Sequence, residues 1–255
     1  MIQARAIPCL LLRGNGLVKT KKFKDAVYVG DPVNAVRIFS DKEADEIVIL
    51  DIDASREGRE PNYELIAEMA GEAFMPVAYG GGVRSLEQIR RLIRSGVEKV
   101  VINTLATEST DTIRAAVEVY GSQAIVGAVD VRRKLLGGYA VLGKSATETT
   151  KLNLQQHIQT LVQAGVGELF INDVDRDGCM TGYDMALVRS VAQAPVPVVV
   201  CGGAGTLEHL REAVLEGGAS AVAAGSMFVF HGKHRAVLIN YPKAADLEKL
   251  FAKDE

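Results

Sequence analysis

Gly81-Gly-Val-Arg-Ser-Leu-Glu87 and Gly202-Gly-Ala-Gly-Thr-Leu-Glu208 are two versions of one phrase, about 120 residues apart. Other pairs keep the same spacing and order. Gly96-Val-Glu-Lys-Val-Val-Ile-Asn-Thr104 answers Gly218-Ala-Ser-Ala-Val-Ala-Ala-Gly-Ser226, and Asp51-Ile-Asp53 with Gly58 answers Asp173-Val-Asp175 with Gly178. A period near half of a 255-residue chain is too long for a solenoid unit. It points to one domain over 1–255, made of two matched halves at about 1–120 and 121–245.

Each repeated phrase follows a short apolar run and precedes a helical pattern. Ser85 and Thr206 are N-cap candidates, each with a Glu two residues on. The apolar runs are Ile47-Val-Ile-Leu-Asp51, Pro76-Val-Ala-Tyr79, Val100-Val-Ile-Asn103, Ala124-Ile-Val-Gly-Ala-Val-Asp130, Glu168-Leu-Phe-Ile-Asn172, Val196-Pro-Val-Val-Val-Cys201 and Ala221-Val-Ala-Ala224. Arg5-Ala-Ile-Pro-Cys-Leu10 makes an eighth. They are continuously apolar rather than alternating, which predicts buried parallel strands. Eight β-then-α units predict a single (β/α)8 TIM barrel with a half-barrel repeat. A doubly wound sheet is the alternative, but it has no reason to repeat loops, helix starts and strand ends in one order.

The bulk composition is that of a globular protein, with 48% hydrophobic and 24% charged residues. A net charge of -3 gives no electrostatic case for nucleic-acid binding. No apolar run approaches the roughly 20 residues that span a bilayer. Met1 to Leu12 lacks the basic, apolar, then small pattern of a secretory leader, so a cytoplasmic location is expected. Cys9, Cys179 and Cys201 are odd in number and far apart in sequence, unlike a disulfide framework or a zinc site. No cofactor and no metal is expected, since no His joins the carboxylates at ligand spacing.

In such barrels chemistry sits at the C-terminal strand ends, where the repeated phrases fall. Gly81 and Gly82 with Asn103 and Thr104 form one candidate anion cradle; Gly202 and Gly203 with Gly225 and Ser226 form its twin. Glycine lets backbone approach an anion, and a following helix offers free N–H groups. The same glycines would also suit plain tight turns. Two matched cradles fit a ligand with two phosphates. Asp130 ends the central strand, where a carboxylate is a candidate general acid or base. Asp51, Asp53, Asp175 and Asp177 flank the same mouth, and some are expected to pair with Lys19, Arg56 or Arg176.

Ile7-Pro-Cys-Leu10, Val18-Lys19, Gly30-Asp-Pro32, Ala44-Asp-Glu46, Leu50-Asp51, Gly80-Gly-Gly82, Gly121-Ser-Gln123, Asp175-Arg-Asp-Gly178, Gly182-Tyr-Asp184 and Gly202-Gly-Ala-Gly205 stand in order along the chain. Together they resemble the cyclase subunit (HisF) of imidazole glycerol phosphate synthase, across residues of about 4 to 230. The resemblance implies a histidine-biosynthesis-type barrel paired with a glutaminase (HisH-like) subunit. It also implies ammonia passing through the barrel from its N-terminal face, and two aspartates acting as acid and base at the other face. Asp130 matches the second aspartate. Leu11 occupies the position of the first, and leucine carries no proton. A positioned acid or base contributes about 10²- to 10⁴-fold in rate. Arg5, Glu46, Lys99 and Glu168 match the family's charged gate at the N-terminal mouth, though charges at that face also serve stability.

Gly14-Asn-Gly-Leu-Val-Lys-Thr20, Asp53-Ala-Ser-Arg-Glu-Gly-Arg-Glu-Pro-Asn62 and Phe228-Val-Phe-His-Gly-Lys-His-Arg-Ala-Val-Leu-Ile-Asn-Tyr-Pro242 resemble a branch associated with glycosyl amidation in bacterial surface polysaccharides. That resemblance implies an ammonia-channelling subunit, with a third, ATP-dependent amidotransferase receiving the ammonia. A cyclase of histidine biosynthesis and a non-catalytic anion-binding assembly subunit are the competing expectations.

Overall fold

The structure is a computed structural model and describes residues 4–252; the first three residues of the opening segment read for a leader, and the last three of the 1–255 span, lie outside it. Eight strands form its centre: β1 (Arg5–Arg13), β2 (Ile47–Asp51), β3 (Val77–Gly80), β4 (Lys99–Ile102), β5 (Ile125–Arg133), β6 (Glu168–Asp173), β7 (Val198–Cys201) and β8 (Ala221–Ala224). Each is parallel to the next. β8 returns to β1 in the register Arg5↔Ala221 to Pro8↔Ala224, also parallel. That last pairing closes the barrel and rules out an open doubly wound sheet.

A main helix follows every strand: α1 (Pro32–Asp41), α2 (Tyr63–Gly71), α3 (Leu86–Arg94), α4 (Asp111–Tyr120), α5 (Leu154–Gln163), α6 (Met185–Val191), α7 (Leu207–Leu215) and α8 (Ala244–Phe251). The helix starts are written in the sequence. Ser85 and Thr206 accept from the backbone N–H of Gln88 and His209, as N-caps do. Asp31 caps α1, with Pro32 in its first turn, where the missing N–H costs nothing.

Two apolar layers explain the continuous hydrophobicity of the strands. Outward residues such as Leu10, Ile49, Tyr79 and Ile171 pack against the helices. Inward residues fill the barrel and are mostly small or β-branched, among them Ala78, Ala128, Ala221 and Ala223, with Phe170 the large exception. Burying an aliphatic or aromatic side chain stabilises by about 1.5–3 kcal/mol, so both layers reinforce the same strands.

Two strands run further than their apolar runs suggest. β1 continues past residue 10 to Arg13, and β5 continues past Asp130 to Arg133. These ends also pair antiparallel, β1 with Gly16–Lys21 and β5 with Tyr139–Gly143, and only Arg13 and Arg132-Arg133 run past the barrel pairings. A third strand, Lys24–Gly30, completes the hairpin beside β1. These ribbons stand at the C-terminal mouth.

Candidate functional site

The N-terminal end of the barrel is closed by a ring of four charges. Arg5 opens β1, Lys99 opens β4, Glu168 opens β6, and Glu46 immediately precedes β2. Arg5 donates to both Glu46 and Glu168. Lys99 Nζ donates to both carboxylate oxygens of Glu46, at 2.9 and 2.8 Å, and to Glu168 Oε2 at 3.0 Å. Positive and negative groups alternate, so each charge has two opposite neighbours. Burial opposes the Arg5 charge, but Glu168 and Glu46 outweigh it and hold the guanidinium proton more tightly than usual.

The C-terminal end opens instead into a cavity of about 100 Å³. Asp130, Leu11, Lys19, Asp51, Asp177, Gly81, Gly82, Asn103, Thr104 and Gly225 all line it. The first candidate anion cradle therefore lies wholly on this cavity. Of its twin only Gly225 does; Gly202, Gly203 and Ser226 are not among the lining residues.

The repeated glycines have a structural cause of their own. A Cβ at Gly81 would meet the Asp51 carbonyl oxygen at 2.4 Å, and one at Gly202 would meet that of Asp173 at 2.4 Å. Both sit at positive φ, 120° and 98°. In each half, a βα turn is packed against the backbone of the preceding strand end, and only glycine fits. Asp51 and Asp173 repeat in role as well. Asp51 accepts from the N–H groups of Asp53 and Ala54, Asp173 from that of Asp175, so each ties its own loop.

Asp130 is buried in the cavity wall. Its two carboxylate oxygens accept from Asn103 Nδ2 at 2.7 Å and Asn172 Nδ2 at 3.1 Å. Asn103 follows β4 and Asn172 lies on β6, the two strands flanking β5. Burial pushes the Asp130 carboxyl up to about 6, against the two amide bonds, with nearby Asp177 adding to the rise. Asp177 is raised in the same sense by burial, opposed first by its bond from Thr20 Oγ1 at 2.6 Å. Leu11 is buried on the inner barrel face and paired with Leu50 on β2 and Val18 on the hairpin.

The hairpin over the mouth is tied down through Asp177. Lys22 N–H donates to the Asp177 carbonyl at 2.9 Å, and a Cβ on Gly178 would meet the Thr20 carbonyl at 2.1 Å. Lys19 is buried, and its ammonium donates to the Cys9 carbonyl rather than to an aspartate. The other expected aspartate pairings form in part: Arg56 pairs with Asp53 at 2.6 Å and Arg176 with Asp173 at 3.7 Å. Arg59 joins Asp51 and Arg132 joins Asp175, each at 3.2 Å.

Sequence reading missed two features of the cavity. Asn172 was visible only as a strand end; its position on a neighbour of β5 is the signal that pairs it with Asp130. Cys9 and Cys201, remote in sequence, both line the cavity, and all three cysteines are free.

A closed ring of eight parallel strands, each followed by a helix, defines a (β/α)8 barrel, with the cavity at the C-terminal ends of its strands. The chain belongs to the family described as "Histidine biosynthesis protein", which matches residues 5–235. It is 53% identical over 251 residues to a Pseudomonas aeruginosa protein provisionally named imidazole glycerol phosphate synthase subunit hisF2, covering 98% of this chain and 99% of the relative. A Leptospira borgpetersenii protein provisionally named as the HisF subunit is 45% identical over 253 residues, covering 98% and 100%. A Vibrio vulnificus protein provisionally named hisF3 is 44% identical over 254 residues, covering 98% and 96%. The chain is thus a HisF-like barrel of the imidazole glycerol phosphate synthase cyclase family. Among the described residues no helix is long and apolar enough to cross a membrane.

Proposed function

We propose that this barrel is an ammonia-channelling subunit of a cytoplasmic glutamine amidotransferase, acting with a HisH-like glutaminase. The ammonia would pass to a third, ATP-dependent amidotransferase that amidates a sugar of a bacterial surface polysaccharide. The observation that carries this reading is Leu11 on the cavity wall that also holds Asp130, where the family's pair of carboxylates would stand. One acid–base group is gone, while the four-charge ring that resembles the family's gate is complete. The small inward residues of the barrel fit a passage for a molecule as small as ammonia. The cradle at Gly81, Gly82, Asn103 and Thr104 would take an anionic or phosphorylated ligand.

The test mixes the purified chain with its cognate glutaminase. The expected result is a stable heterodimer, weakened by charge reversal at Glu46 or Lys99, that delivers glutamine-derived ammonia to the barrel mouth. No complex and no transfer would refute the proposal.

A second reading, the cyclase of histidine biosynthesis, is favoured by Asp177, a buried carboxyl in the same cavity that could replace the missing acid. Turnover of the cyclase family's nucleotide substrate with ammonium, matching that of a two-aspartate barrel, would establish it.

A further inference from the structure

Leu135 and Leu136 stand at the apex of the hairpin that continues β5, and both are fully exposed. The turn holds them there. Lys134 N–H donates to the Gly138 carbonyl at 3.0 Å, and Gly137 N–H donates to the Lys134 carbonyl at 3.1 Å. Gly137 and Gly138 supply the positive φ, 92° and 74°. An apex of this kind is ordinarily polar, because water is its only neighbour. Two leucines there are apolar surface with no use inside the molecule.

The hairpin beside β1 repeats the combination. Its outer strand, Lys24–Gly30, exposes Val27 and Tyr28. Both hairpins continue barrel strands past the C-terminal mouth, and both carry exposed cations. These are Lys21, Lys22 and Lys24 on one, and Arg132, Arg133 and Lys134 on the other. Arg132 is paired with Asp175 at 3.2 Å, and Arg133 approaches Asp184 at 3.8 Å. Among the described residues, lysine ion pairs form at Lys99 and Lys144, so the four hairpin lysines stand unpaired. Asp25 is the one exposed acid on these two hairpins. The whole chain carries a net charge of -3, so positive charge gathers here against the overall balance.

Exposed aliphatic tips beside unpaired cations suit an anionic lipid surface. The tips enter the boundary between headgroups and acyl chains, while flanking lysines and arginines meet anionic headgroups. A protein partner would need a shaped pocket for each projecting tip, whereas a fluid surface yields to both. We infer that this C-terminal rim is a peripheral docking surface for an anionic lipid bilayer, with Leu135 and Leu136 as the inserted tip. Docking turns the barrel mouth toward the lipid and leaves the ring of Arg5, Glu46, Lys99 and Glu168 facing away. The inference goes beyond the ammonia reading and does not depend on it.

The experiment is sedimentation of the full chain with vesicles of phosphatidylglycerol and phosphatidylcholine, beside vesicles of phosphatidylcholine alone. The expected result is binding to the anionic vesicles only, weakening as salt rises. Leu135→Ser with Leu136→Ser is expected to weaken it about tenfold or more, and Lys21→Glu with Lys22→Glu by a similar factor of about ten. The chain has no tryptophan, so Leu136→Trp places a single fluorescent reporter at the tip. Its emission is expected to move to shorter wavelength with anionic vesicles, as the ring enters the interface. No sedimentation with anionic vesicles, equal binding of neutral ones, or unchanged binding in the double serine variant would overturn the proposal. A chain that ignores vesicles but binds a protein through Leu135 and Leu136 would overturn it too, and would assign the rim to a protein interface.

Discussion

The two ends of the barrel treat buried charge in opposite ways. At the N-terminal end Arg5, Glu46, Lys99 and Glu168 satisfy one another completely. At the C-terminal end Asp130 is buried with amides but no cation, and two amide oxygens are left without partners. A satisfied ring stabilises the fold; the other cluster leaves buried acceptors without partners. Stability is gained at one end and given up at the other. Four paired charges hold one mouth, and the other retains a carboxyl pushed up to about 6 by burial.

Four substitutions probe that contrast, in order of expected effect. Leu11→Asp restores the first carboxylate of the family pattern. Cyclisation of the family's nucleotide substrate is expected to rise by about 10²- to 10⁴-fold, read as steady-state turnover with ammonium chloride. Glu46→Ala leaves Arg5 and Lys99 each short of a partner. It is expected to destabilise the fold by about 3–5 kcal/mol, measured as a lowered urea midpoint.

Asp130→Asn tests the other end through pH. The folded pKa of Asp130 is raised above its unfolded value of about 3.9, so ionisation opposes folding. The wild type loses that stability as pH rises from about 4 through about 6, the reverse of a salt-bridged aspartate. The variant is therefore expected to be more stable than wild type by about 2 kcal/mol at pH near 8, with the gain vanishing below about pH 4. Urea unfolding across that range reads it. Thr20→Val removes the hydroxyl bond to Asp177 and should cost about 1 kcal/mol, with faster amide exchange across residues 16–30.

The barrel was legible because each strand is buried on both faces and so reads as an unbroken apolar run. The half-chain repeat then counted the units. What the runs concealed were the extensions of β1 and β5, whose ends carry Arg13 and Arg132-Arg133. Outside the barrel only one antiparallel neighbour supports them, and the apolar signal stops there. Asp130 and Leu11 were legible as single positions. Their surroundings were not, since they depend on which strands become neighbours. Asn103 and Asn172 meet Asp130 only once β4 and β6 flank β5. Cys9 and Cys201 meet only inside the closed barrel. Lys19 was expected beside an aspartate; its ammonium acts on nearby Asp177 but donates its hydrogen bond to a carbonyl of β1.

As proposed, this barrel conducts ammonia and has given up cyclisation. The most direct measurement is turnover of the cyclase family's nucleotide substrate by the purified chain with saturating ammonium chloride, beside a barrel that carries both aspartates. Turnover is expected to be lower by about 100-fold or more, as loss of one positioned acid or base requires. Turnover equal to that of the two-aspartate barrel would contradict it.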